Sequence, residues 1–285
     1  MNLNWQLLTP EALEDISEAR EQCHQAIQNV AAVGRSFLDH KEDDSQANLE
    51  WDINLQRLVG RWVETEKLTF RSSFSINDFK VYLVSHNLET LASLALHNVK
   101  QTDVMIWLEH NLKELGLDFS KINLELPYKI PEYSPSKGKP FQVTNQKAFH
   151  ELALIYHNAN LILKDIIADY PESSKIRVWP HHFDQAGSII KLNTGDTSTS
   201  KSISIGMSPG DKYYNEPYFY VTSWPYITEA PIKINETSAQ WHEDDWAGLI
   251  LTLSHITKFD LIQDQRGVVQ RFFKESLLFF EEHLH

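Results

Sequence analysis

Three segments decide how this chain is read. The first is Arg177-Val178-Trp179-Pro180-His181-His182-Phe183-Asp184-Gln185-Ala186-Gly187-Ser188, and the second is Met207-Ser208-Pro209-Gly210-Asp211. The third is Pro217-Tyr218-Phe219-Tyr220-Val221-Thr222-Ser223-Trp224-Pro225-Tyr226. They are rich in aromatic and β-branched residues and bounded by Pro, Gly, Asp and Ser, the pattern of antiparallel strands joined by turns. Strands are expected at 176–183, 187–193, 201–207 and 217–224, with a hairpin over 232–253. Ser208-Pro209-Gly210-Asp211 reads as a turn in which Pro fixes one dihedral and Gly takes a positive one.

Helical periodicity flanks this block. Phe149, Leu152, Ala153, Tyr156, Leu163 and Ile167 share one face of a helix expected over 146–170, and Val268, Phe272, Phe273, Leu277 and Phe280 one over 264–282. The first half has the same order. Thr9-Pro10-Glu11 reads as a helix start, Leu13 to Val30 supply the apolar stripe, and Gly34 is the expected stop. Strands follow around Trp51, at 58–63, 68–74, 79–84 and 91–96, then a helix from Thr102 to Leu115 and a further strand at 122–126.

The fold class that results is α+β, with two similar halves, each an antiparallel sheet with helices packed on one face. The divisions expected are 1–130, a Pro-rich connection at 131–145, and 146–285, which carries the candidate site. Trp51 precedes Gly60 by nine positions and Trp179 precedes Gly187 by eight, a spacing that suggests an internal duplication.

Bulk composition narrows the function classes. A formal net charge of −13 without a dense basic cluster argues against nucleic-acid binding. The single cysteine, Cys23, permits neither an intrachain disulfide nor a cysteine-based metal site. No apolar run reaches membrane-spanning length, and a cytoplasmic location is expected. Phosphate-loop, dinucleotide, nucleophile-elbow and His-Glu-x-x-His signatures are all missing.

In an extended strand, His182 and Asp184 would share a face. Such a pair suits a general base with its orienting carboxylate, or two ligands of a metal. They are the candidate catalytic residues; the plainer alternative makes Asp184 a turn cap and bonds His182 to a backbone carbonyl. Trp179, Tyr218, Tyr220 and Trp224 are the candidate ligand-binding walls, set against a core role for the same rings. Trp241-His242-Glu243-Asp244-Asp245-Trp246 reads as a hairpin turn and lacks calcium-loop spacing.

Trp179, Phe183-Asp184-Gln185-Ala186, Tyr218-Phe219-Tyr220 and Trp224-Pro225, in that order before a final helix, resemble an uncharacterised bacterial domain-of-unknown-function family. Leu117 to Pro131 is similar to that family's middle. Where the family has Gly-Ser before its Phe-Asp, this chain has His181-His182, and the family's Gly-Arg pair is absent after Ile190. The resemblance implies the fold and carries no activity.

The function expected is small-molecule binding in an aromatic-lined cleft with the His182/Asp184 pair. The first alternative is a metal-assisted hydrolase using that pair with His242 or an acid from 243–245. The second is a non-catalytic protein-interaction module. No cofactor and no resident metal are assigned.

Overall fold

The computed structural model describes residues 4–9, 13–122, 124–196, 198–230 and 239–284. The fold is α+β, with two antiparallel six-stranded sheets and, among the described residues, five α-helices. The chain divides into two compact units. One comprises 15–153 with 178–183; the other comprises 1–14, 154–177 and 184–285. The Pro-rich stretch 131–145 lies inside the first of these.

In the first unit, α1 (Leu13–Phe37) and α2 (Gln101–Glu114) accompany β1 (Glu50–Asp52), β2 (Arg57–Val59), β3 (Val63–Glu64), β4 (Thr69–Ser75), β5 (Lys80–Ser85) and β6 (Thr90–Ala95). The path through the sheet is β1-β2-β4-β5-β6, with β3 paired to β4. Phe70, Ser72 and Phe74 alternate with Arg71, Ser73 and Ser75 along β4. The first set faces the helices: Ser72 Oγ donates to the Val30 carbonyl at 3.0 Å.

Two expectations fail in this unit. Gly34 does not end α1, which continues to Phe37. A side chain at Gly34 would overlap the Gln46 carbonyl, so the glycine is a point of close backbone approach. Residues 122–126 form no strand among the described positions. After α2 stops at Gly116 in the left-handed conformation, Asp118 caps a 3-10 turn at Phe119–Lys121, and Leu124 beyond it is exposed. Among the described residues no strand pairs with this segment, so its alternation builds no sheet.

The second sheet comprises β7 (Arg177–Trp179), β8 (Asp184–Leu192), β9 (Lys201–Ser208), β10 (Tyr218–Trp224), β11 (Gln240–His242) and β12 (Gly248–Thr252), in the order β11-β12-β10-β9-β8-β7; β8 to β12 belong to the second unit. α3 (Gln146–Ile167) enters this unit at residue 154, and α4 (Leu253–Ile256) and α5 (Ile262–His283) complete it. Gly210 has the positive φ, +104°, expected of its turn. The helix start at Pro10-Glu11, the Leu13 side chain and residues 231–238 of the expected hairpin lie outside the described residues.

Along β10 the pleat sorts the side chains. Phe219 and Val221 point to α5, where Phe219 meets Phe273 with ring centres 5.7 Å apart. Tyr218, Tyr220, Thr222 and Trp224 take the opposite face. The cross-strand partners Ser208, Gly206, Ser204 and Ser202 share that face, as do Thr252, Ile250 and Gly248.

Residues 4–9 are clasped by two buried amides of the same unit. Asn158 Oδ1 accepts from the Gln6 amide while its Nδ2 donates to the Gln6 carbonyl, both at 2.8 Å. Gln265 repeats the arrangement on Leu8, at 2.9 and 2.8 Å, and also donates to the Phe259 carbonyl. Each amide acts as a one-residue strand partner for the segment, in which Trp5 and Leu8 are buried. The sequence reading missed this segment because nothing local marks it. Replacing Gln265 with Leu strands three backbone groups away from water; we expect a loss of about 2–4 kcal/mol in urea unfolding. A loss under ~0.5 kcal/mol would show that the clasp is not holding the segment.

Candidate functional site

A common face for His182 and Asp184 requires the strand expected at 176–183 to run on unbroken. The structure shows a turn instead: β7 ends at Trp179, and residues 180–183 fold back so that the Phe183 amide donates to the Trp179 carbonyl at 2.7 Å. Phe183 has φ +58°, uncommon for a bulky residue, and its side chain is fully buried. The common face therefore does not exist. His182 falls in the first compact unit and is exposed; Asp184 opens β8 in the second and is buried.

Within the first unit, the turn is fastened by its Pro180 carbonyl. His24 Nε2 donates to it at 2.9 Å and Gln28 Nε2 at 2.8 Å. Because a carbonyl only accepts, His24 carries its hydrogen on Nε2, and Nδ1 accepts from the Tyr133 hydroxyl at 3.0 Å. The imidazole stacks on Phe183 with centres 5.5 Å apart. His181 lies 4.2 Å from the His182 ring centre and 5.9 Å from that of Trp179. Burial, and then the neighbouring His182, lowers the His181 pKa to about 4. Burial likewise lowers His24 to about 4, the hydrogen bond to Pro180 opposing it, and raises Tyr133 to about 12. These groups hold a turn together. A cavity of about 10 Å³ in the same unit, lined by Val30, Ser72, Leu83, Val104 and Leu108, has room for no more than a water molecule and is a packing gap.

The second unit gathers the rest. Asp184, Tyr218, Tyr220 and Trp224 all lie on the sheet face turned away from α5. Tyr220 donates to Asp184 Oδ2 at 2.6 Å, and Tyr218 donates to Asp211 Oδ2 at 2.7 Å. Asp211 is itself fixed: its Oδ1 accepts from the amides of Tyr213 and Tyr214 at 2.8 and 3.0 Å. Burial foremost, and then the facing carboxylate, pushes both phenols well above their ordinary range, so they remain donors. Gly206 makes room for this: any side chain there would overlap the Tyr220 ring.

Three further residues frame the face. Tyr214 packs edge-on to Tyr218 at 5.1 Å, and Trp246 packs against Tyr220 at 6.0 Å and His242 at 4.2 Å. His242 donates from Nε2 to the Asp244 carbonyl at 2.7 Å and meets the Tyr214 hydroxyl through Nδ1 at 3.0 Å. Both ring nitrogens are thus engaged. The hairpin turn expected in the run Trp241–Trp246 is present, and the structure places it at 243–247, with His242 paired to Gly248. Among the described residues, no three His, Cys, Asp or Glu side chains converge as a metal's ligand set would. Trp246 and Gly206 were not legible in the sequence as site residues. The alternation Ser202-Ser204-Gly206-Ser208 was the available signal, since small residues at every second position leave a shallow floor beside aromatic walls.

No family model, curated protein or solved structure matches this chain. No helix among the described residues is long and apolar enough to cross a membrane.

Two outcomes follow from this geometry. The folded state keeps His24 neutral down to about pH 4, whereas the unfolded chain protonates near 6.5. The unfolded state therefore binds more protons between these values. The His24 contribution is complete above pH 6.5 and is lost as pH falls toward 4, by about 3 kcal/mol at most. Urea unfolding across that window should show a flatter decline in His24→Gln than in wild type; equal slopes would refute the buried neutral imidazole. Gly206→Val should cost about 1–3 kcal/mol through overpacking against Tyr220. In the double-mutant cycle, Tyr220→Ala should recover part of that loss, and strict additivity would exclude the contact.

Proposed function

We propose that this protein binds a small polar molecule on the Tyr218–Trp224 face of its second sheet. Asp184, Tyr218 and Tyr220 are the polar contacts and Trp224 an aromatic wall. The observation that carries the reading is the Tyr220–Asp184 pair set over Gly206: a phenol donor and a buried carboxylate acceptor, positioned by the sheet register next to a floor of serines. A ligand with hydroxyl or amino groups exchanges these phenol–carboxylate bonds for bonds of its own at little cost, because donors and acceptors are already oriented. Trp224, 45% exposed, and Tyr226 beside it at 5.6 Å offer ring faces at the open end. His182 and Trp179 are not among the contacts proposed.

A thermal-shift screen with small metabolites tests this. A ligand at a hundred times its dissociation constant adds about 2.7 kcal/mol of stability. The expected result is a hit that weakens at least tenfold in Tyr220→Phe and in Trp224→Ala. Trp224→Ala serves as the second variant because Tyr220→Phe also removes a buried bond. A hit unaffected by both places the ligand elsewhere and overturns the reading.

One observation favours a second reading, that of a non-catalytic interaction module. Ile190, Leu192, Trp224 and Tyr226 expose apolar surface in the same unit. Under this reading Trp224→Ala changes association state and leaves small-molecule screens blank. We also propose that the chain arose by internal duplication. The Trp51–Gly60 and Trp179–Gly187 spacings fall at corresponding places in the order of the two sheets, which supports it.

A further inference from the structure

The face of the first sheet turned away from α1 and α2 carries donors that have found no acceptor. Arg57, Arg71 and Ser73 lie on it together: Ser73 and Arg71 are two apart on β4, and Arg57 is on β2, whose Val59 pairs with Ser73. The Arg57 guanidinium carbon lies over Tyr82, 3.5 Å from the ring centre, and that of Arg71 lies over Trp62 at 4.4 Å. Arg71 is tethered through one nitrogen to Asp52 Oδ2 at 2.8 Å. Arg57 has no carboxylate within ion-pair distance among the described residues; the nearby Asp78 instead takes Ser75 and the Tyr82 hydroxyl.

The Nε of Arg57, the Nε of Arg71 and the Oγ of Ser73 are all buried without a hydrogen-bond partner, and Ser73 is wholly inaccessible. Buried polar groups in folded proteins are nearly always satisfied, so three orphaned donors side by side on one sheet face need a common explanation. All three are donors, and two belong to cations held in plane by aromatic rings. That is the arrangement that receives an oxyanion, since a guanidinium edge matches the two oxygens of a carboxylate or phosphate.

We propose that this face is an oxyanion site, in which Arg57, Arg71 and Ser73 bind a carboxylate or phosphate group of a small ligand. Its recessed donors require an opening, and the residue free to provide it is Arg57, held by a ring stack and no ion pair. Arg71, fixed by Asp52 and Trp62, forms the stationary side. Trp62, 36% exposed, borders the entrance and gives the rest of the ligand a flat surface. The site is separate from the tyrosine face of the second unit and does not rest on the function proposed for it.

The full chain is titrated with inorganic phosphate and, in a parallel arm, with acetate, at constant ionic strength set with chloride, and melting is followed together with circular dichroism. A saturable rise in melting temperature with one of the two anions is expected, and the responding arm identifies the group. Arg57→Gln should abolish the rise, and Ser73→Ala should weaken it at least threefold, both variants keeping the wild-type spectrum. Should Arg57→Gln fail to fold, Arg57→Lys serves in its place and should lose most of the rise, because a point charge cannot reproduce the fork. An equal rise in the Arg57 variant, or no rise above the chloride control in either arm, overturns the site. Ser73→Ala more stable than wild type without any anion response would show that the orphaned hydroxyl is a packing cost only.

Discussion

The second unit depends on the two-residue period of β10. One pleated segment places Phe219 and Val221 against α5 and, by the same geometry, Tyr218, Tyr220, Thr222 and Trp224 on the opposite face. Moving the register by one residue would put phenols under the helix and phenylalanine among carboxylates, so the packing of the core and the composition of the polar face are one constraint. Asp184 and Asp211 then fix the orientation of two rings that the strand has only aimed.

The first unit shows the same division of labour with opposite chemistry. Its β4 sends Phe70, Ser72 and Phe74 to the helices and Arg71 and Ser73 outward. Arginines stacked on aromatic rings occupy the place that tyrosines bonded to carboxylates take in the other sheet. One face carries cations and donors, the other carboxylate acceptors held by phenols. The two sheets thus present surfaces of different chemical character.

How much of this was legible in the sequence follows from the range of the forces involved. Strands and helices governed by their own periodicity, such as β10 and α5, were readable because pleat and helical turn are local. The turn at 180–183 was not. Val178-Trp179 and Phe183-Asp184 both suit a strand, and the chain folds back between them because the Pro180 carbonyl is claimed by His24 and Gln28, more than 150 residues away. Residues 122–126 alternate like a strand, yet a strand exists only beside a partner. Gly34 looked like a helix stop because sequence shows a missing side chain without showing what occupies the space. On the candidate site, Asp184, Tyr218, Tyr220 and Trp224 share one face of a single antiparallel sheet, Asp184 on β8 and the aromatic residues on β10, with only β9 between them. His182 was added to them by an extended geometry that the backbone does not adopt at 180–183, and Trp179, on β7, packs on His181 in the first unit.

The amides of Asn158 and Gln265 that grip Gln6 and Leu8 bear on how the molecule is made. The contact between Leu8 and Gln265 spans 257 positions. At ordinary ribosomal rates of roughly 5–20 residues per second, some ten to fifty seconds separate the synthesis of the two ends of that contact. During that interval Trp5 and Leu8 are apolar surface without a home, a natural point for a chaperone to engage. The last helix to be synthesised, α5, then supplies the amide that ends the wait.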